Sequence, residues 1–282
     1  MGRLQDQDLD HRLRTQLYGQ HIVVDTVVRS IHGHLKYGTP EKALVLSFHG
    51  LTGCGKNYVS RIIAEVLYPS GMNSIHVNLI HAPSTFPHER QIPMYMDQLR
   101  DWIRGNATKC ERNVFVLDEI EKMPPGLIGI IKPFLDHYQH IEGIDYRKNI
   151  FIFLSNTGGR EITEYVLQQW RKGRSREDIK LVELEDILTR IAFNKEGGLW
   201  HTELIDHNLI SAFIPFLPLE RKHVMMCIED DLHNKHLPVT KDFIKTVADH
   251  MKYIPEDVKL YSATGCKRVS EKVNLLTEHD EL

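Results

Sequence analysis

The stretch Gly50-Leu51-Thr52-Gly53-Cys54-Gly55-Lys56-Asn57 follows the pattern G-x-x-x-x-G-K-[ST] as far as Lys56, then carries Asn where Ser or Thr is usual. Gly50, Gly53 and Gly55 let the backbone curl so that successive N–H groups, those of Thr52, Cys54, Lys56 and Tyr58 among them, gather around an anion. The helix that follows adds the partial positive charge of its N-terminus. Lys56 is then placed to reach the β- and γ-phosphates of a nucleoside triphosphate. The flanks agree. Residues 43–48 form a short apolar run that reads as a buried strand, and residues 58–67 carry apolar side chains at helical spacing. A glycine-rich turn without a ligand would not need Lys at this position.

Two further strands end in chemistry. Val114-Phe115-Val116-Leu117 leads into Asp118-Glu119, the Walker B pattern. Such a strand is apolar because it lies centrally in a sheet covered on both faces. Its acids fall at the C-terminal edge, where open α/β sheets bind ligands. Asp118 is read as the support of Mg²⁺ and Glu119 as the residue that polarises the attacking water. Ile150-Phe151-Ile152-Phe153-Leu154-Ser155 ends in Asn156. That amide either bonds the γ-phosphate or opens the turn Asn156-Thr157-Gly158-Gly159. Asn57 has two readings as well. Its amide oxygen can ligate a hard cation in place of the usual hydroxyl, or the substitution weakens the metal site.

The rest of the chain divides coarsely. Residues 1–14 read as a disordered tail. Residues 12–35 are helical in pattern, interrupted at Tyr18-Gly19-Gln20-His21. Strands are expected at 75–80 and 212–217, a loop at 83–88 and a helix at 94–104. Beyond Pro218 the pattern is mostly helical, over 220–235, 240–251 and 267–276. The fold class expected is therefore α/β. A large nucleotide-binding domain with a central parallel sheet flanked by helices spans 15–220, and a small helical lid spans 221–282. Gly265-Cys266-Lys267 opens the last helix, with Lys267 either facing the phosphates or solvated.

Composition bounds the partners and the compartment. The 282 residues, 41% hydrophobic and 26% charged with a net charge of −3, describe a globular chain with no electrostatic case for nucleic acid. No apolar run approaches a transmembrane helix. The chain ends His279-Asp280-Glu281-Leu282, the HDEL address of endoplasmic-reticulum retrieval. Asn106-Ala107-Thr108 is an N-glycosylation sequon, consistent with a lumenal protein. The polar start is no signal peptide, so the expectation is that a signal segment preceding Met1-Gly2 has been removed. Cys54, Cys110, Cys227 and Cys266 are too few for a disulfide scaffold. In an oxidising compartment Cys227 and Cys266 form the best pair for one bridge; buried free thiols are the alternative.

Taken together, the motifs resemble the AAA+ ATPases of the Clp-like branch, and within it the torsins. The marks of that resemblance are Asn57 in the phosphate loop, Gly265-Cys266-Lys267, Trp102-Ile103-Arg104-Gly105-Asn106 and Phe216-Leu217-Pro218-Leu219-Glu220, over residues 17–269. The resemblance implies ATP or ADP and Mg²⁺ as cofactors, with Asn57 and Asp118 at the metal. It makes Asn156 sensor 1 and Lys267 sensor 2, and sets Gly19 and Gln20 at the adenine. It also makes Cys227 and Cys266 a redox pair coupled to the nucleotide. Ring ATPases of this kind complete each site with an arginine from a neighbour. No Arg lies between Arg190 and Arg221, and the finger position falls near Asn208. Torsins are similar in this respect, taking the arginine from the lumenal domain of a membrane-anchored activator at the endoplasmic reticulum and nuclear envelope. The resemblance thus implies weak hydrolysis alone, remodelling of protein or membrane assemblies as a chaperone does, and peripheral membrane association through the partner. Homo-oligomers or filaments are compatible with it. No Gly-aromatic-Val-Gly pore loop occurs between Ile80 and Asp97, which argues against peptide threading. A second reading is a nucleotide-gated binding module in which hydrolysis only resets assembly. A P-loop nucleoside or nucleotide kinase fits less well with Asn156 and the C-terminal lid.

Overall fold

Unbroken apolar runs form the strands, as a sheet covered on both faces requires. They are β1 (Leu44–His49), β2 (Val77–His81), β3 (Val114–Asp118), β4 (Ile150–Ser155) and β5 (Ala212–Pro215). All pair in parallel in the order β2-β3-β4-β1-β5. The structure, a computed structural model, describes residues 2–36, 38–194, 199 and 203–280. The helices of the body are α1 (Gly2–Gln16), α2 (His21–Lys36), α3 (Lys56–Leu67), the single turn α4 (Ala82–Thr85), α5 (Ile92–Lys109), the single turn α6 (Lys132–Leu135), α7 (Gly159–Arg171), α8 (Leu181–Asn194) and the single turn α9 (Glu203–Asp206).

Alternate side chains of each strand enter opposite layers. Val45, Phe115, Leu117, Phe151 and Phe153 pack with Leu99 and Ile103 of α5. Phe115 and Phe151 stack with centroids 4.9 Å apart. Leu46, Phe48, Val116 and Ile152 pack on the other side with Val23 and Val27 of α2 and Ile62 and Ile63 of α3. The register sets His81 beside Asp118 and His49 beside Ser155. Polar residues of neighbouring strands therefore meet at one edge.

The N-terminal segment departs from the disordered tail expected for 1–14. It forms α1, with Leu9 and Leu13 buried in the layer of α2 and α3. Leu9, Leu13 and Leu17 recur every fourth residue, which gives a charged helix one apolar stripe. Arg12 adds an ion pair with Glu65 of α3. Strand β2 starts at Val77, leaving Ile75 at 80% exposure, and the expected loop at 83–88 holds α4.

The C-terminal unit is α10 (Arg221–Asn234), α11 (Lys241–Asp249) and α12 (Val269–Asp280), with a core of Val224, Ile228, Val247 and Val273. Between α11 and α12 lies an antiparallel pair that helical periodicity does not announce, β6 (Tyr253–Ile254) and β7 (Tyr261–Ser262). Tyr261 enters the core of the body, and the Ser262 N–H donates to the Leu219 carbonyl. Gly265-Cys266-Lys267 forms a turn ahead of α12 rather than its first residues. Cys227 and Cys266 are bridged, with Cα atoms 6.2 Å apart. The last residues of the HDEL address, Glu281 and Leu282, lie outside the described residues.

Candidate functional site

The cleft between body and lid, about 710 Å³, collects most of the residues singled out from the sequence. Lys56 opens α3 and is buried to 7% exposure. Its Nζ donates to the carbonyls of Gly50 (2.7 Å) and Leu51 (3.0 Å) and to Asn156 Oδ1 (3.1 Å). These acceptors are all uncharged, and among the described residues Lys56 has no carboxylate partner. An ammonium so placed is complementary to an anion. Thr52, Gly53, Cys54, Gly55, Asn57 and Tyr58 line the cleft around it. Burial pushes the Cys54 thiol up from its ordinary value, and the thiol donates to the Leu51 carbonyl at 2.7 Å.

The acids stand across from this loop. Asn57 Nδ2 donates to Asp118 Oδ2 at 2.8 Å, and Asp118 Oδ1 accepts from the Glu119 N–H at 2.9 Å. A carboxamide and a carboxylate side by side are hard oxygen donors. Mg²⁺ takes one or two such protein ligands and completes its shell with phosphate and water. Among the described residues no cluster of three His, Cys, Asp or Glu could hold a metal unaided, so the donor set fits an ion that arrives with a nucleotide. Glu119 has a left-handed backbone, φ 53°, uncommon for a residue with a Cβ and a mark of local strain. Its Oε2 lies 3.8 Å from His81 Nε2, and His81 Nδ1 pairs with Ser84 Oγ at 3.0 Å.

Lid and phosphate loop touch through their backbones. The Cys266 N–H donates to the Gly53 carbonyl at 3.0 Å. A Cβ on Gly265 would stand 2.2 Å from the Gly53 oxygen, and one on Gly53 would stand 2.0 Å from the Thr264 oxygen. Only paired glycines allow this approach. Lys267 and both cysteines of the bridge line the cleft from the lid side.

The remaining expected residues serve from below. Gln20, 2% exposed, donates through Nε2 to the carbonyls of Cys54 (3.0 Å) and Leu217 (2.9 Å), and its Oε1 accepts from the Leu217 N–H. It joins the α1–α2 connection to the phosphate loop and to the hinge. The Gly19 carbonyl accepts from the Arg176 guanidinium, which also donates to the Pro218 carbonyl at 2.6 Å and faces Glu220 at 3.5 Å. Burial pushes Arg176 down from its ordinary value, with Glu220 opposing. Asn106 sits in the last turns of α5 with its Nδ2 donating to the Trp102 carbonyl, not in the surface loop that a sequon implies.

Sequence reasoning passed over His81, Glu121, Arg176 and His49. His81 carried a signal, since it ends a strand as Asp118 and Asn156 do. Arg176 carried none, because its partners lie far away in the chain. His49 Nδ1 donates to the Thr157 carbonyl at 3.0 Å, while Nε2 accepts from Ser47 Oγ at 2.7 Å. Burial holds it near 4, so it is neutral and structural.

Comparison with known proteins agrees with this geometry. The family model described as Torsin matches residues 3–117, and that described as Torsin-1A, C-terminal domain matches residues 219–275. A Torsin-like protein of Caenorhabditis elegans is 43% identical over 270 residues, covering 95% of this chain and 76% of the relative. Among solved structures, S. cerevisiae Hsp104 in its ADP complex superposes with a TM-score of 0.69 at 15% identity, over 99% of this chain and 48% of that one. A closed state of Hsp104 with ATPγS and FITC casein gives 0.61 at 16% identity, over 98% and 47%. The chain thus spans about half the length of Hsp104, and at these identities the likeness concerns the fold alone.

Proposed function

Because the chain belongs to the torsin family of AAA+ ATPases, we propose that it is an activator-dependent ATPase of the endoplasmic-reticulum lumen and perinuclear space. It hydrolyses ATP weakly alone and gains turnover when a membrane-anchored cofactor inserts an arginine, and it uses the cycle to remodel protein or membrane assemblies.

The observation that carries the reading is the meeting of Lys56, Asn57, Asp118, Glu119 and Asn156, from two strand ends and one helix start, opposite Lys267 of the lid in one cleft. Lys56 and the loop amides hold phosphates, and Asp118 and Asn57 hold Mg²⁺. When bound, the metal nucleotide supplies the electrophilic phosphorus and a counter-charge for the leaving oxygens. Glu119 orients and polarises water, Asn156 and Lys267 contact the terminal phosphate, and Gly19 and Gln20, which do not line the cleft, brace the phosphate loop and the hinge from below instead of contacting the adenine. The bridge of Cys227 with Cys266 couples the redox state of the lid to the phosphate loop through the Cys266–Gly53 hydrogen bond. The lack of Arg between Arg190 and Arg221 supports dependence on a partner, since an arginine finger is worth about 10³–10⁵ in turnover. The torsin family fits a secretory-pathway location, and no helix among the described residues is long and apolar enough to cross a membrane.

Turnover of the chain alone, then with a lumenal activator domain bearing an exposed Arg, tests the proposal. The expected result is slow release of phosphate that rises at least a hundredfold with the activator and does not rise with its Arg→Ala variant. Fast turnover alone overturns the missing-finger argument. No turnover in either case, with ATP-dependent complex formation retained, favours a nucleotide-gated assembly module.

A further inference from the structure

We propose that Glu121 is a positioning residue that fixes the orientation of the Asn156 carboxamide and thereby lets the site tell ATP from ADP; the inference rests on the ATPase reading above. Glu121 lies on the short 3-10 turn Ile120–Lys122 that follows β3 and Glu119. Its Oε1 accepts from the backbone N–H of Asn156 at 3.2 Å and from Asn156 Nδ2 at 2.8 Å. Its Oε2 accepts from Ser155 Oγ at 2.9 Å, and Ser155 Oγ in turn accepts from the Thr157 N–H at 3.0 Å. One carboxylate thus grips both residues at the end of β4.

The opposite face of the same amide is gripped by Lys56, whose Nζ donates to Asn156 Oδ1 at 3.1 Å. An ammonium can only donate and a carboxylate can only accept. Turning the amide over would set Nδ2 against the Lys56 ammonium and Oδ1 against the Glu121 carboxylate, two repulsive contacts at once. The pair of charges therefore decides the orientation, which for an isolated Asn would be open. One amide hydrogen is committed to Glu121, and among the described residues the second has no protein partner. Asn156 lines the cleft, and a terminal phosphate only accepts hydrogen bonds. An amide locked with its N–H₂ group available is a donor for that phosphate, whereas a freely turning amide offers its oxygen half of the time. ADP lacks the group that would feel the difference. Glu121 stands two residues from Glu119, yet no hydrogen bond joins it to Glu119 among the described residues, so its part is separable from that of the water-polarising carboxylate.

Equilibrium binding of fluorescent ATP and ADP to the full chain tests this, with Glu119→Gln as the parent so that hydrolysis does not intrude. Glu121→Ala in that parent is expected to weaken ATP about tenfold, the size of one mispaired hydrogen bond to a charged group, and to leave ADP within twofold. Glu121→Gln is expected to restore most of the ATP affinity. Its Oε1 can accept from Asn156 while its Nε2 donates to Ser155 Oγ. The ADP affinity is the control on folding. ATP and ADP affinities that fall together in Glu121→Ala, or an ATP affinity that does not change, overturn the positioning role. So does a Glu121→Gln variant as impaired as Glu121→Ala, because then the charge itself rather than the acceptor is in use. A Glu119→Gln parent that binds neither nucleotide overturns the ATPase reading and this inference with it; a parent that binds both with an indifferent Glu121→Ala overturns this inference alone.

Discussion

At the residue scale, Lys56 and Gly265 are separable tests of one contact surface. Lys56 is a buried cation satisfied by three neutral oxygens. Lys56→Met keeps the aliphatic stem and removes the charge, and it is expected to lower ATP and ADP affinity by more than tenfold while raising or leaving unchanged the melting temperature, because an ammonium without a carboxylate is costly to bury. Calorimetry with each nucleotide checks both halves. Gly265→Ala acts differently. Its φ of +52° and the Gly53 oxygen 2.2 Å from the new Cβ force the lid turn away from the phosphate loop. The expected loss is about 2 kcal/mol of stability, with weaker nucleotide binding. Gly38→Ala, whose Cβ meets nothing within 4 Å, is the matched control and is expected to stay within about 0.5 kcal/mol of wild type in the same denaturant titration.

At the scale of elements, the first helix and the first turn of α10 carry what sequence left unread. Residues 2–16 look like a solvated tail because charges outnumber apolar residues, and the helical signal is only Leu9, Leu13 and Leu17 at every fourth place. The structure buries Leu13 completely, so Leu13→Ala is expected to cost about 2–5 kcal/mol in a chemical denaturation, where a disordered tail would give no change. His223 is the second case. It lies under Gly19, accepts from the Glu220 N–H through Nδ1 and caps α10 with Glu220. Burial, with Arg176 nearby, lowers it to about 3. The folded state binds the proton less readily than the unfolded state, so stability from neutral His223 is complete above its ordinary value near 6.5 and is lost as pH falls from there toward 3. Wild type is expected to lose up to about 1.4 kcal/mol per pH unit from this group below pH 6.5. Thermal melts of His223→Gln between pH 7.5 and 5 should show a shallower slope. The strand ends and the phosphate loop were legible because their chemistry is local: a glycine pattern, or an apolar run ending in an acid or amide. Arg176 and Glu121 were not, because their partners lie 42 and 35 positions away and only the fold brings them near, and Gln20, set at the adenine by resemblance, instead braces Leu217 from 197 positions away.

At the scale of the whole molecule, ties between the lid and the body include the Tyr261 side chain, the Tyr18–Asp230 hydrogen bond and the Gly53–Gly265 approach. None supplies an arginine to the neighbour's site. The loop between α9 and β5 holds Asn208 with φ 51°, a left-handed conformation that Asn tolerates and Arg adopts at about 1 kcal/mol. If copies of the chain stack as ring ATPases do, the proposed function puts the missing group here. Asn208→Arg is therefore expected to raise turnover in the absence of any activator, by tenfold or more at high protein concentration. The gain should vanish on dilution, since it requires a second copy. Phosphate release measured across a hundredfold range of protein concentration distinguishes this from a change within one chain, which would scale linearly. Adding Glu119→Gln to Asn208→Arg should return the rate to background at every concentration. A rate that stays at the wild-type level while light scattering shows assembly would place the finger elsewhere on the neighbour, and the proposed dependence on a partner would then need another cause than the residue at 208.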